Sequence, residues 1–238
     1  MASSVRRVAV PVVCATSAIC STSGIVSSPA SSRRAPSAAA KRRDSLRYAQ
    51  LGTEAAARSR GTAGVLLASS EARALAKLNR LDEVHIAVAR AAEARDRVQP
   101  DKLDILGGIC NFSRPPQLHY AAEALSWGGA PQASHAEQFA LEALNAYAAA
   151  PQGSSIRNEA NTRGALAVAC VARGEVDGAT EALSPVLELP PAQRTHTIVT
   201  SVERVRTALQ TLKDPGRDAI ELAGAIEAFT SERLTQPR

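Results

Sequence analysis

Forty-eight of the 238 residues are alanine, and only seven are Phe, Trp or Tyr. Alanine is the best helix former and a poor strand former. A sandwich or barrel needs β-branched and aromatic side chains on its pleated faces, so this composition argues against both and for an all-α fold. Hydrophobic residues still make up 45% of the chain, enough to bury a core built on Ala, Leu and Val. No run reaches the roughly 18 consecutive apolar residues of a membrane span. The length suits one domain, or one domain with a tail.

The charge is unevenly spread. The chain carries a formal +5, with a pI near 9.3. Residues 1–60 hold ten Lys/Arg against two acids, which leaves 18 against 21 over 61–238. Residues 1–44 are rich in Ser, Ala and Arg and show no helical or strand period, as in Ser27-Ser28-Pro29-Ala30-Ser31-Ser32-Arg33-Arg34-Ala35-Pro36. Such a segment cannot bury enough apolar surface to offset its ordering entropy. The expectation is a disordered basic tail over 1–44 and a folded domain over 45–238. An export signal is a second reading, with Met1–Arg7 as the charged region and Val8–Cys20 as the apolar one. Pro11, Thr16 and Ser17 interrupt that apolar stretch, and a misplaced start or shifted frame accounts for the segment equally well.

Cysteine and histidine offer no metal site and no disulfide framework. Cys14, Cys20, Cys110 and Cys170 form no C-x-x-C pair, and Cys110 and Cys170 lie among apolar neighbours. Buried free thiols in a reducing, cytoplasmic compartment are expected. His119 and Glu123 stand at i, i+4, which suggests a surface hydrogen bond rather than a metal site without a third ligand. No cofactor is implied.

Helical periods and breaker residues place helices near 45–58, 62–78, 82–98, 116–127, 131–150, 155–173, 176–184, 190–212 and 217–234, with no convincing strand. Ser154 or Ser155 should cap the sixth, Gly174 should end it, and Pro185 should interrupt the seventh. The helix-helix turns beginning at Asn79, Gly128, Gly174 and Asp214 align. Five places into each lie Val84, Ala133, Ala179 and Ala219. Twelve residues earlier lie Ala72, Ala121, Ala167 and Thr207, and seven later lie Ala91, Ala140, Val186 and Ile226. A small residue, a tight turn, then small and apolar residues is the tetratricopeptide pattern, in which small side chains let paired helices approach closely. Successive units are 49, 46 and 40 residues apart, against about 34 in the standard repeat. Gln117, Arg163 and Glu203 occupy positions where the pattern wants a large apolar residue. The expected architecture is a tetratricopeptide-like array of antiparallel helix pairs, an α-solenoid.

Several stretches carry a more specific likeness. They are Leu66-Leu67-Ala68-Ser69-Ser70-Glu71-Ala72-Arg73-Ala74-Leu75-Ala76, Arg80-Leu81-Asp82-Glu83-Val84-His85, Ala89-Arg90-Ala91 and Glu93-Ala94-Arg95-Asp96. With them go Phe112-Ser113-Arg114-Pro115-Pro116-Gln117-Leu118-His119-Tyr120-Ala121-Ala122, Trp127-Gly128-Gly129 and Leu189-Pro190-Pro191-Ala192-Gln193-Arg194. Over roughly 45–238 the chain resembles the C-terminal tetratricopeptide-like region of actinobacterial XRE-family (helix-turn-helix) transcriptional regulators. In that family a DNA-binding helix-turn-helix precedes the array. The Ser/Ala/Pro/Arg-rich text of 1–44 does not fit one, so the resemblance implies a sensor-type region without specific DNA reading, in an N-terminally truncated or re-started relative.

Stacked helix pairs expose a face lined by the first helix of each pair. The repeat register projects Arg73, Lys77, Asn161 and Arg204 onto it, three cations and an amide suited to an acidic peptide or an anionic small molecule. Trp127 and Tyr120 form the one aromatic neighbourhood of note, read as packing. There is no G-x-S-x-G, phosphate loop, H-E-x-x-H or triad spacing, so no enzyme is indicated. The expected function is a non-catalytic module binding a protein, peptide or small ligand in a regulatory role, with a homodimer compatible and no membrane partner. The alternatives are a transcriptional regulator touching DNA through its basic tail or a partner, and an exported helical-repeat protein.

Overall fold

The structure is a computed structural model that describes residues 37–231, apart from 57–58, 103, 108–109 and 150–154. The first 36 residues of the expected tail, Cys14, Cys20 and the Ser154 cap lie outside the described residues. Among those residues there are nine α-helices and no strand. They are α1 (Ala38–Ala56), α2 (Ala63–Lys77), α3 (Leu81–Asp96), α4 (Arg114–Leu125), α5 (Ala130–Ala149), α6 (Ile156–Arg173), α7 (Val176–Leu187), α8 (His196–Leu209) and α9 (Arg217–Ser231). Short 3-10 turns occupy Asp104–Leu106, Ser126–Gly128 and Pro191–Gln193. The chain divides into two compact units between Ala124 and Leu125.

The first helix begins seven residues before its expected start, so 38–44 is helical rather than part of a disordered tail. The signal is local. Ser37 accepts the Ala40 N–H at its Oγ, 3.2 Å away, an N-cap bond followed directly by three alanines. Leu46, Ala49, Gly52 and Ala56 then stripe the buried face.

In the first unit α2 is the central helix and packs against both α1 and α3. It is buried almost all round, which the run of Ala, Leu and Val permits. The helix ends at Asn79, which takes a left-handed φ of 59° and lets the Arg80 N–H reach the Leu75 carbonyl at 3.0 Å. Phe112 joins Val65 and Leu66 in the core, with Ala94, Val98 and Tyr120 packed against them.

In the second unit α6 is central. It contacts α5, α7 and α8, while α9 contacts both α7 and α8. Gly174, at φ 82°, ends α6 as expected, with the Glu175 N–H donating to the Cys170 carbonyl. Two expected boundaries differ. Pro185 lies inside α7 instead of breaking it. Proline deletes the bond to the carbonyl four residues back, and both Pro185 and Glu181 are exposed, so the missing bond falls on the solvent side of the helix. Ala182, Leu183 and Val186 meanwhile stay buried and hold the helix down.

The helix expected over 190–212 is split. A 3-10 turn spans Pro191–Gln193, and α8 starts only at His196. Arg194 supplies the reason. Its guanidinium donates to the Leu189 carbonyl at 2.8 Å and the Phe229 carbonyl at 2.9 Å, and it lies 4.2 Å over the Phe229 ring. It thereby satisfies a carbonyl in the last turn of α9, which has no partner within its own helix.

The aligned sequence positions fall into a consistent register. Eleven of the twelve are buried, the exception being the exposed Thr207. Of the three departures, Gln117 is itself buried. It accepts from Arg95 Nε at 2.7 Å and donates to the Ala91 carbonyl at 3.1 Å, so a satisfied amide replaces an apolar contact between α4 and α3. Arg163 and Glu203 stay at the surface, paired with Glu159 and Arg206.

Candidate functional site

The residues projected onto a common face divide between the two units. In the first unit Arg73 and Lys77 are one turn apart on α2, and both meet Glu123 of α4. Arg73 Nε lies 2.7 Å from one carboxylate oxygen and Lys77 Nζ 3.4 Å from the other. The Arg73 guanidinium also sits 4.1 Å over the Tyr120 ring, and that ring packs against Phe112 at 5.2 Å. An incoming anion must therefore compete with a carboxylate already in place.

His119 stands in the same cluster but is 3% exposed, with Nε2 3.9 Å from Glu123. The expected surface hydrogen bond is thus a buried and longer approach, because α4 turns His119 toward the core.

In the second unit Arg204 donates to Ser126 Oγ at 2.9 Å and stacks 4.3 Å over the Trp127 ring. Trp127 remains 39% exposed, so this pair presents an aromatic face and a cation together. Asn161, on α6, has a buried Oδ1 with no hydrogen-bond partner. The two aromatic residues expected as one neighbourhood thus have separate ring contacts, Tyr120 with Phe112 and Trp127 with Arg204.

Two features of the first unit were not singled out from sequence. Asp104 ties the 99–112 connection to the start of α2. Its Oδ1 accepts the Thr62 N–H at 3.1 Å and the Thr62 hydroxyl at 2.6 Å, and its Oδ2 accepts the Asp101 N–H at 3.0 Å. Thr62 Oγ1 in turn accepts the Phe112 N–H at 2.9 Å. Burial pushes the Asp104 carboxyl up, but the Thr62 hydroxyl, the backbone N–H groups of Asp101 and Thr62 and the charge of Arg95 outweigh it. The carboxyl ends below its ordinary value.

The other feature is an open depression of about 410 Å³, lined by Arg43, Leu46, Arg47 and Gln50 of α1 and by Leu78 and Arg80 of the α2–α3 turn. Arg80 is held by Glu83 through two bonds, Nε to Oε1 and NH2 to Oε2, the second 2.6 Å long. Sequence reading missed this grouping because the expected boundary at residue 44 left Arg43 in a disordered tail and Arg47 in the first helix.

Cys170 is not set up as a nucleophile. Cys170 is buried, and burial together with Glu137 and Glu175 pushes its thiol up to about 11. Cys110 is only half-buried, less than its apolar neighbours suggested. Among the described residues no group of three His, Cys, Asp or Glu is placed to hold a metal ion, and no helix is long and apolar enough to cross a membrane. No protein-family model matches the chain, and no curated protein matches it either.

Proposed function

We propose that the chain is a non-catalytic helical repeat module of tetratricopeptide type that binds a protein, peptide or small ligand in a regulatory role. One observation carries the reading. The spacing that defines the repeat coincides with burial at eleven of twelve positions. In the second unit, moreover, the helices touch in the order of a stack, α6 with α8 and α7 with α9, as well as within pairs. Repeat units that contact only their neighbours leave a continuous face for recognition. On this reading the chain resembles the sensor region of helix-turn-helix regulators in role as well as in text. The pair of exposed Trp127 and half-buried Arg204 is the contact we assign to the partner in the second unit, since aromatic and arginine side chains dominate binding energy at interfaces.

The test is a pull-down with the full chain from native lysate, followed by mass spectrometry of proteins and small molecules. A partner retained by the wild type and lost from Trp127→Ala and Arg204→Ala supports the proposal. Recovery of nothing, or equal recovery with both variants, overturns it.

A second reading, contact with DNA through the basic N-terminal segment, is favoured by one fact. Lys41, Arg42, Arg43 and Arg47 are displayed on a helix and are exposed. A gel shift across a salt series tests it, because purely electrostatic binding falls steeply by about 200 mM salt while sequence-specific binding persists.

A further inference from the structure

We infer that the depression between α1 and the α2–α3 turn binds the diphosphate group of a small, nucleotide-sized ligand. It is separate from Arg73, Lys77, Asn161 and Arg204, and its use does not depend on theirs.

The argument starts from charge. Residues 38–60 hold six Lys/Arg against two acids, whereas 61–124 hold eight of each. Within residues 38–124 the positive excess therefore falls in 38–60. Arg43 and Arg47 are four residues apart on α1, so they share a face, with side chains roughly 6 Å apart at their bases. From there two long arginine side chains can converge on one multiply charged anion such as a diphosphate. Both are exposed, and among the described residues neither has a carboxylate within ion-pair distance. A planar guanidinium presents paired N–H donors that fit phosphate oxygens bidentately.

The rest of the lining suits a small ligand. Leu46 is buried and Leu78 half-buried, which gives an apolar floor. The volume, about 410 Å³, lies within the range of small-molecule sites. Arg80 also lines the depression, with its Nε and one NH2 engaged by the Glu83 carboxylate. A nucleic-acid backbone is a poorer match, because it needs a continuous basic stripe. Here Asp44 interrupts the α1 run and Glu83 neutralises Arg80, so the positive region is a point rather than a track.

Titration calorimetry on the full chain tests the inference, with inorganic pyrophosphate and adenosine diphosphate as probes and sulfate as the control for a bare anion. Expected are saturable pyrophosphate binding that exceeds sulfate binding, and a loss of at least tenfold in affinity in R43A/R47A. Glu83→Gln should tighten binding a few-fold by unmasking Arg80, a gain that a merely structural role for these residues does not produce. Arg43 and Arg47 are exposed and Glu83 is half-buried, and unchanged circular dichroism checks that the variants fold. Tighter binding of adenosine diphosphate than of pyrophosphate assigns the phosphates to a nucleotide, and equal binding assigns the site to the diphosphate alone; both support the inference. It is overturned by no saturable heat, by equal affinity in R43A/R47A, or by a random-sequence duplex that binds through these arginines and is not displaced by pyrophosphate. None of these outcomes bears on the Trp127–Arg204 contact, so the two proposals fail separately.

Discussion

Thr62 shows what one hydroxyl can hold. Its Oγ1 donates to Asp104 and accepts from the Phe112 N–H, and both side chains are buried. Thr62→Val removes both bonds at nearly constant volume and leaves a buried N–H without a partner, at a cost of about 2–3 kcal/mol. Thr62→Ser keeps the hydroxyl and should lose about 1 kcal/mol or less, so urea unfolding of the pair separates the hydrogen bonds from packing. The same knot sets a pH dependence. A carboxyl depressed in the folded state stabilises above its unfolded value, near 3.9, and that stability is lost as pH falls through the folded value. Asp104→Asn should therefore be less stable at neutral pH yet lose less on acidification below about pH 4. Equal slopes in the two proteins count against the assignment. Cys170 gives a third measurement, since its thiol sits near 11 and packs where α7 passes close, 3.4 Å from where a side chain at Gly178 would begin. Maleimide labelling mapped by mass spectrometry should modify Cys110 well before Cys170 in the native protein. At this scale sequence reading found the cations Arg73 and Lys77 but not their shared partner. Glu123 lies 50 residues from Arg73 in the chain, and only the packing of α4 on α2 brings it near. Asp104 and Thr62 are invisible for the same reason, 42 residues apart with no periodic relation.

Between elements, the second unit depends on how closely α6 approaches α8. A Cβ added at Gly164 would overlap Ser201 Oγ and lie 3.1 Å from Ser201 Cβ. Gly224, on the exposed side of α9, has nothing within 4 Å. Alanine in place of glycine gains about 1 kcal/mol of helix propensity at either site. Gly224→Ala should keep that gain. Gly164→Ala should forfeit it to overpacking and come out destabilised by about 1–3 kcal/mol. Ser201→Gly added to Gly164→Ala should restore part of the loss, and a double-mutant cycle measured by thermal unfolding reads the coupling directly. Additive effects would mean that the helices adjust without contact. Helix existence and order were legible in the sequence, because Ala-rich periods and Gly, Asn and Pro punctuation are local signals. The misread boundaries share a cause. The Ser37 cap was hidden by the low-complexity text before it. Pro185 was given too much weight because its solvent-facing side could not be seen. The break at 190–195 depends on Arg194 meeting Phe229, 35 residues away.

For the whole molecule, the division between Ala124 and Leu125 reorganises the charge as well as the contacts. Residues 38–124 hold 14 Lys/Arg against ten acids, and 125–238 hold ten against 13. Cutting the sequence at residue 60 made the basic excess a property of a tail, whereas residues 38–60, most of them in the described helix α1, hold half of that excess. A division into compact units also predicts how the chain opens. Stability in proteins is distributed over cooperative units, and in helical repeats the coupling is mainly between neighbours. Thr62→Val weakens the first unit only, and Gly164→Ala the second only. Native-state hydrogen exchange followed by mass spectrometry should then show faster exchange over 38–124 in the first variant, with α6 to α9 unchanged. The reverse pattern is expected in the second. If either substitution accelerates exchange across both units by the same factor, the chain unfolds as one cooperative body. The boundary at residue 124 would then be geometric rather than energetic.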